Sequence, residues 1–144
     1  MIRGYEEWAV VATIDPIDAN NADSSTDIID MSKYTELLCF VMLGVINASA
    51  TFDFKLLEDE ASDMSGESDI TGKAITQFTG AGTDGAKQAI IGLNAEELTA
   101  GNRYVRGTMA NSAHSQLAAV LILGKPKYKP ASEQDLASVD EIVE

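Results

Sequence analysis

The longest apolar run in the chain is Leu37-Leu38-Cys39-Phe40-Val41-Met42-Leu43, extended by Val45 and Ile46. Continuous apolarity of this kind suits a strand buried on both faces. After a short polar break, Asn47-Ala48-Ser49, Phe52, Phe54 and Leu56 alternate with Thr51, Asp53 and Lys55, the pattern of a strand with one wet side. The break is short enough for a hairpin or tight connection, so the two strands are expected side by side at the centre of a β-structure.

The remaining segments are expected to pack on this pair or cap its ends. Trp8 to Ile14 alternates, with Trp8, Val10, Ala12 and Ile14 on one face, and Asp15-Pro16 is expected to end that strand. Ile17 to Asp27 reads as a polar loop, and Ile28 to Met31 as a short edge strand. Glu58 to Asp69 is strongly acidic and carries turn formers, which predicts a long solvent-exposed loop. Further strands are expected at Ala74–Thr79, Gln88–Leu93, Arg103–Met109 and Gln116–Leu123, the last central and buried on both faces. Asn94 with Glu97 has the spacing of a capping box over a single helical turn closed by Gly101.

Seven or eight strands with turn signals between them predict an all-β chain, an antiparallel β-sandwich of jelly-roll type with extended N- and C-terminal arms. One domain is expected over residues 1–130, followed by an acidic C-terminal tail at 131–144. The predicted core holds Trp8, Val10, Leu38, Phe40, Met42, Phe52, Phe54, Leu56, Ile91, Val105, Leu121 and Leu123. Lys125 to Pro130 is basic and proline-rich, an extended stalk. Behind it, Ser132 to Asp135 can cap a short amphipathic helix through Leu136, Val139, Ile142 and Val143; such a tail either stays mobile or docks, and docking on another copy or another protein is the expectation.

Charge changes the picture more than composition does. A net charge of −13 repels phosphate backbones and anionic bilayers, so neither nucleic acid nor a membrane is an expected partner. The apolar run is also too short for a membrane span, which needs ~20 residues, and the N-terminus lacks the apolar stretch of a signal peptide.

Candidate chemistry is sparse. The single cysteine, Cys39, lies in the most apolar run and reads as a small core hydrophobe rather than a reactive thiol. The single histidine, His114, lies in a polar loop with no G-x-S-x-G elbow in the chain. One His and one Cys exclude a metal site rich in those ligands. The acidic loop 58–69 offers carboxylates for calcium but lacks EF-hand spacing, and a charge run is usually a solvated face. Gly80 to Gly85 reads as a turn, since no Lys-Ser/Thr follows to make a phosphate loop. Asn47-Ala48-Ser49 matches a glycosylation acceptor that has no meaning without secretion. Tyr34, Tyr104 and Tyr128 are candidate stacking surfaces for a sugar, or half-buried sandwich residues. No catalytic, cofactor-binding or metal-binding residues are assigned, no cofactor is expected, and the chain is not read as an enzyme.

Three phrases carry a resemblance. They are Phe54 to Asp59 with Ile70 to Thr76, Lys87 to Leu93, and Asn102 to Arg106 leading to Ala118–Gly124. In this order they resemble small structural proteins from the head gene clusters of tailed bacteriophages and prophages. Such proteins are often jelly rolls acting as capsid cement or decoration proteins. The resemblance spans residues 34–130 and implies a virion protein on the capsid surface, assembled in the host cytoplasm. It implies the major capsid protein and other copies of the chain, as homodimer or homotrimer, as partners. It transfers no catalytic residues, and places Val105 toward the core between Arg103 and Arg106. The alternatives are a head-completion or tail structural protein, and a carbohydrate-binding module for host recognition.

Overall fold

The computed structural model describes residues 4–19, 23–81, 85–112 and 117–143. After a helical turn, α1 (Gly4–Glu7), come β1 (Ala9–Asp18), β2 (Ser24–Ser25), β3 (Ile29–Asp30), β4 (Tyr34–Leu43) and β5 (Thr51–Asp59). They are followed by β6 (Ser68–Ala74), β7 (Phe78–Thr79), β8 (Gln88–Asn94), β9 (Tyr104–Asn111) and β10 (Leu117–Pro126). A 3₁₀ turn, Ala95–Glu97, separates β8 from β9. There Asn94 N–H donates to Glu97 Oε2 at 2.8 Å, within the capping box expected from the sequence.

The strands form two antiparallel sheets packed as a sandwich. One is four-stranded, in the order β1-β10-β4-β8; the other is six-stranded, built on β2-β9-β5-β6 with β3 on β9 and β7 on β5. Pairing is nested. The first strand joins the last, β2 and β3 join β9, β4 joins β8, and β5 joins β6, as in one long hairpin wrapped on itself. Two further ladders, β10–β4 and β5–β9, close the wrap and make those four strands central.

This topology corrects the expected neighbours. β4 and β5 lie in different sheets, and Gly44 to Ala50 carries the chain between them. That crossing is a tied corner: Ala50 N–H donates to Asn47 O, and Asn47 Oδ1 accepts from Ser49 N–H. Gly80 packs so tightly on the corner that an added Cβ would fall 1.6 Å from Asn47 O. The acceptor-like Asn47 is thus spent on a turn.

The two inner faces share one core. Phe52, Phe54, Leu56, Val105 and Met109 from the larger sheet meet Leu37, Cys39, Val41, Ile91, Leu93, Val120 and Ile122 from the smaller. Small residues on the smaller sheet (Ala9, Ala12, Ala118 and Cys39) lie in the core cluster that holds the two large rings. The predicted core therefore needs correction on β4, β10 and β1. Leu38, Phe40, Met42, Leu121 and Leu123 are half-buried and point away from the core, as do Trp8 and Val10. A run apolar at every position carries no alternation to choose its inward face, and on β1 a register shift between Val10 and Ala12 inverts the parity.

Several boundaries move as well. β1 continues past Pro16 to Asp18, which an edge strand permits with a second irregularity between Ile14 and Ile17. The expected strand at 74–79 is split into β6, which takes Ser68–Ala74, and the short β7. Arg103 precedes β9, and Lys125 and Pro126 end β10 rather than beginning a stalk.

Over its described residues, 131–143, the tail forms no helix. It runs back along its own domain: Ala131 N–H donates to Glu6 O, and Asp135 N–H donates to Val10 O on the free edge of β1. Lys33 pairs with Glu133 at 2.5 Å, and Lys129 pairs with Glu7. Covering an edge strand this way removes a template for intermolecular pairing.

Two outcomes follow. A chain ending at Lys129 should unfold at lower temperature and show faster amide exchange along β1; unchanged exchange there would mean the tail protects nothing. On β9, Gly107 faces the Phe54 ring, and an added Cβ would lie 2.4 Å from its Cζ. Gly107→Ala should therefore cost about 1–3 kcal/mol, read from urea unfolding.

Candidate functional surface

Buried polar side chains among the described residues serve the backbone. Glu58 accepts from Thr99 N–H at 2.9 Å and from its hydroxyl at 2.5 Å. Asp59 accepts from Ala61 N–H at 3.1 Å and Gly66 N–H at 2.6 Å, and these bonds hold its carboxyl below the usual range. Thr26 Oγ1 accepts from Gly107 N–H at 2.9 Å, bridging the gap between β2 and β3. Asn111 Nδ2 donates to Ala19 O.

The reading of 58–69 as an exposed loop holds for most of the stretch, and these bonds correct it at its start. Glu58 and Asp59 end β5 and are buried, Met64 is buried with φ +54°, and Arg106 reaches across to Glu67 at 2.5 Å. The first two carboxylates of the stretch are therefore occupied as loop anchors. Among the described residues, no group of three or more His, Cys, Asp and Glu side chains is placed to hold a metal.

The other candidates are dispersed. Cys39 is fully buried, and burial pushes its thiol up to about 12, far from a reactive thiolate at neutral pH. His114 lies outside the described residues, as does part of Gly80–Gly85. Tyr34 is buried, Tyr104 lies under Arg103 with 5.3 Å from its Cζ to the ring centroid, and Tyr128 is exposed. Tyr34 and Tyr128 line one small pocket of about 190 Å³, without Tyr104. Arg103 is bound to Asp30 by two bonds, 2.7 Å from Nε and 2.6 Å from Nη2. The pair ties β3 to the start of β9.

The surface that stands out is the outer face of the four-stranded sheet. Reading across β1, β10, β4 and β8, one row is Val10, Leu123, Leu38 and Gly92. The next is Thr13, Leu121, Phe40 and Ile90. The third holds Ala119, Met42 and Gln88. Ionisable groups stand at the margins of these rows, although the chain carries −13: Asp15 accepts from the Thr13 hydroxyl at 3.0 Å on the β1 side, and Lys73 donates to Gly92 O at 2.7 Å on the β8 side. Ile90 is 63% exposed, and Leu117, at the lower end, 65%. Beyond Leu117 and Gly44, Pro16 and Ala119 line an open apolar hollow of about 420 Å³. At the upper end the rim is polar: Lys125 lies 3.9 Å from Glu36 and 5.7 Å from the Trp8 ring centroid.

The other sheet shows the contrasting case. Its outer face carries Lys55 paired with Asp69, Arg106 paired with Glu67, and Asp53 bonded to Gln77. Ordinary antiparallel sheets turn such a wet face to solvent, and apolar patches of several hundred Å² usually mark contact with another molecule. Sequence reasoning missed this surface because it assigned the same residues to the core. The legible signal was the excess: β4 and β10 carry apolar residues on both faces, more than two sheets can enclose. Among the described residues, no helix is long and apolar enough to cross a membrane.

The chain is thus an all-β sandwich whose most distinctive surface is an uncharged, apolar sheet face. No family model and no curated protein matches it.

The Asp30–Arg103 pair sets a pH expectation. The guanidinium, and the bonds from Ser32, hold Asp30 well below the ordinary carboxylate range. The stabilisation is complete above the unfolded pKa, near 3.9, and is lost as pH falls through the folded value. Asp27 runs the other way: burial and its contact with Asp135 raise it, so its contribution is present in acid and lost as pH rises. Urea midpoints measured from neutral pH down to acid should fall less steeply in Asp30→Asn than in the parent. Parallel curves would remove this pair as a source of acid lability.

Proposed function

We propose that this protein is a capsid cement or decoration protein, a virion structural component that binds the outside of the major capsid protein shell and stabilises it as a homo-oligomer. The observation that carries the reading is the apolar, uncharged outer face of β1-β10-β4-β8 on an otherwise acidic body. A face of that composition is suited to protein contact rather than to a small substrate or a phosphate backbone. The nested pairing supports reading the sandwich as a jelly roll, the form in which the resemblance casts such proteins. The side chains with chemical potential support a non-enzymatic role, since the cysteine is buried and the buried acids are tied to backbone amides. A body of this kind contributes through contacts and needs no turnover.

Two measurements test the reading. Purified protein mixed with DNA-free shells of the major capsid protein from the same source should co-sediment, and mass spectrometry of intact particles should count copies on the order of hundreds, as a symmetric shell requires. A dozen or fewer copies would transfer the protein to the neck or tail. In a gel-shift assay at low salt, duplex DNA should migrate unchanged, because the acidic surface offers no counterion release. A retarded band would overturn the account of the surface.

A further inference from the structure

The outer face of the four-stranded sheet has an occupant to be named. We propose that it is a second copy of this chain, the two sheets stacking face to face about a twofold axis with Leu121 and Phe40 at the centre of the contact. The proposal deepens the homo-oligomeric part of the reading above by assigning the surface that makes the oligomer.

Area is the first argument. Four strands at about 4.8 Å spacing and five outward rows at about 6.8 Å, the three apolar rows with the Glu36–Lys125–Asn94 rim at one end and Gly44 with Leu117 at the other, give a flat footprint of roughly 650 Å². Side-chain relief raises the accessible area toward the ~800 Å² per partner of ordinary stable interfaces. The sheet therefore has enough surface for a dimer without recruiting another element.

Charge is the second. Two copies of a chain at −13 repel one another, and the cost is least where no ionisable group enters the contact. The rows from Val10 to Gln88 carry ionisable groups only at their margins, Asp15 beside Thr13 and Lys73 beside Gly92, whereas the outer face of the other sheet carries Lys55, Asp53 and Arg106 across its middle. The polar residues Glu36, Lys125 and Asn94 stand at one end of the apolar rows, as at the rim of a protein interface.

Shape is the third. Phe40, Leu121, Leu38 and Leu123 project from the central strands, whereas Gly92, Ala119 and Gly44 leave low ground beside them. Bulky and small positions on one surface let a twofold-related copy interdigitate, the same manner in which the two sheets already fill their shared core. The free edge of β1 is taken by the tail at Val10 O, so stacking rather than strand addition on that side is the route left open.

Sedimentation equilibrium of the full chain at micromolar concentration tests this. The expected mass is twice the 15.3 kDa of one chain. Leu121→Glu and Ile90→Glu should each halve the observed mass while keeping the far-UV β signature. Thr108→Glu, on the outer face of the other sheet, should leave the mass doubled. Ile90 is 63% exposed, so its substitution decides the matter even if Leu121→Glu fails to fold. A single-chain mass for the parent would overturn the proposal, as would an oligomer that survives Ile90→Glu. Shell binding is read separately. A monomer that still co-sediments with shells overturns the stacking alone, and a stacked dimer that ignores them overturns the capsid reading alone.

Discussion

A strand has two faces, and a sandwich of two sheets encloses only one face of each. That constraint organises this molecule. β4 and β10 are apolar along both faces, and the core takes Leu37, Cys39, Val41, Val120 and Ile122, each at most 2% exposed. Leu38, Phe40, Met42, Leu121 and Leu123 are left on the other side by the geometry of the pleat, because successive side chains point opposite ways. Everything that distinguishes the surface follows from this surplus.

The wrapped-hairpin topology adds a second demand, since chain crossings between sheets leave backbone groups to be satisfied. Buried polar side chains answer it at particular corners. Asp59 and Glu58 hold the C-terminal end of β5 to the loops beside it, and Thr26 continues the β9 ladder across the gap between β2 and β3. A buried amide without a partner costs as much as a lost hydrogen bond, so these acids and hydroxyls are structural before they are anything else. Their use in this way leaves a surface whose distinctive feature is contact area.

Charge and apolarity are partitioned between the two outer faces. The six-stranded sheet shows paired acids and bases to water, and the four-stranded sheet shows almost uninterrupted hydrocarbon. The rest of the chain supplies the acidic balance of −13. The tail adds to the same economy by covering the β1 edge, so that the exposed apolar face is a deliberate exception among otherwise guarded surfaces.

Periodicity alone determined the class of fold. Strict alternation in Thr51–Leu56 has one solution, and Phe52, Phe54 and Leu56 are all buried as it requires. Val105 is buried as the resemblance implied, although Arg103 shares its parity, because Arg103 precedes β9. The sequence also determined that Asn94 with Glu97 caps a turn, because that depends on neighbours in the chain. It left open which face of β4 and β10 turns inward, since a uniformly apolar strand satisfies the pattern either way round. It left open, too, that β4 and β5 occupy different sheets, since a short connection serves a hairpin and a corner alike. Only the tertiary structure decided these, by long-range pairing: Cys39 opposite Ile122 and Leu56 opposite Gly107 place the two strands in separate ladders. The candidate surface became visible only then, because an outer face exists only once the inner one has been chosen.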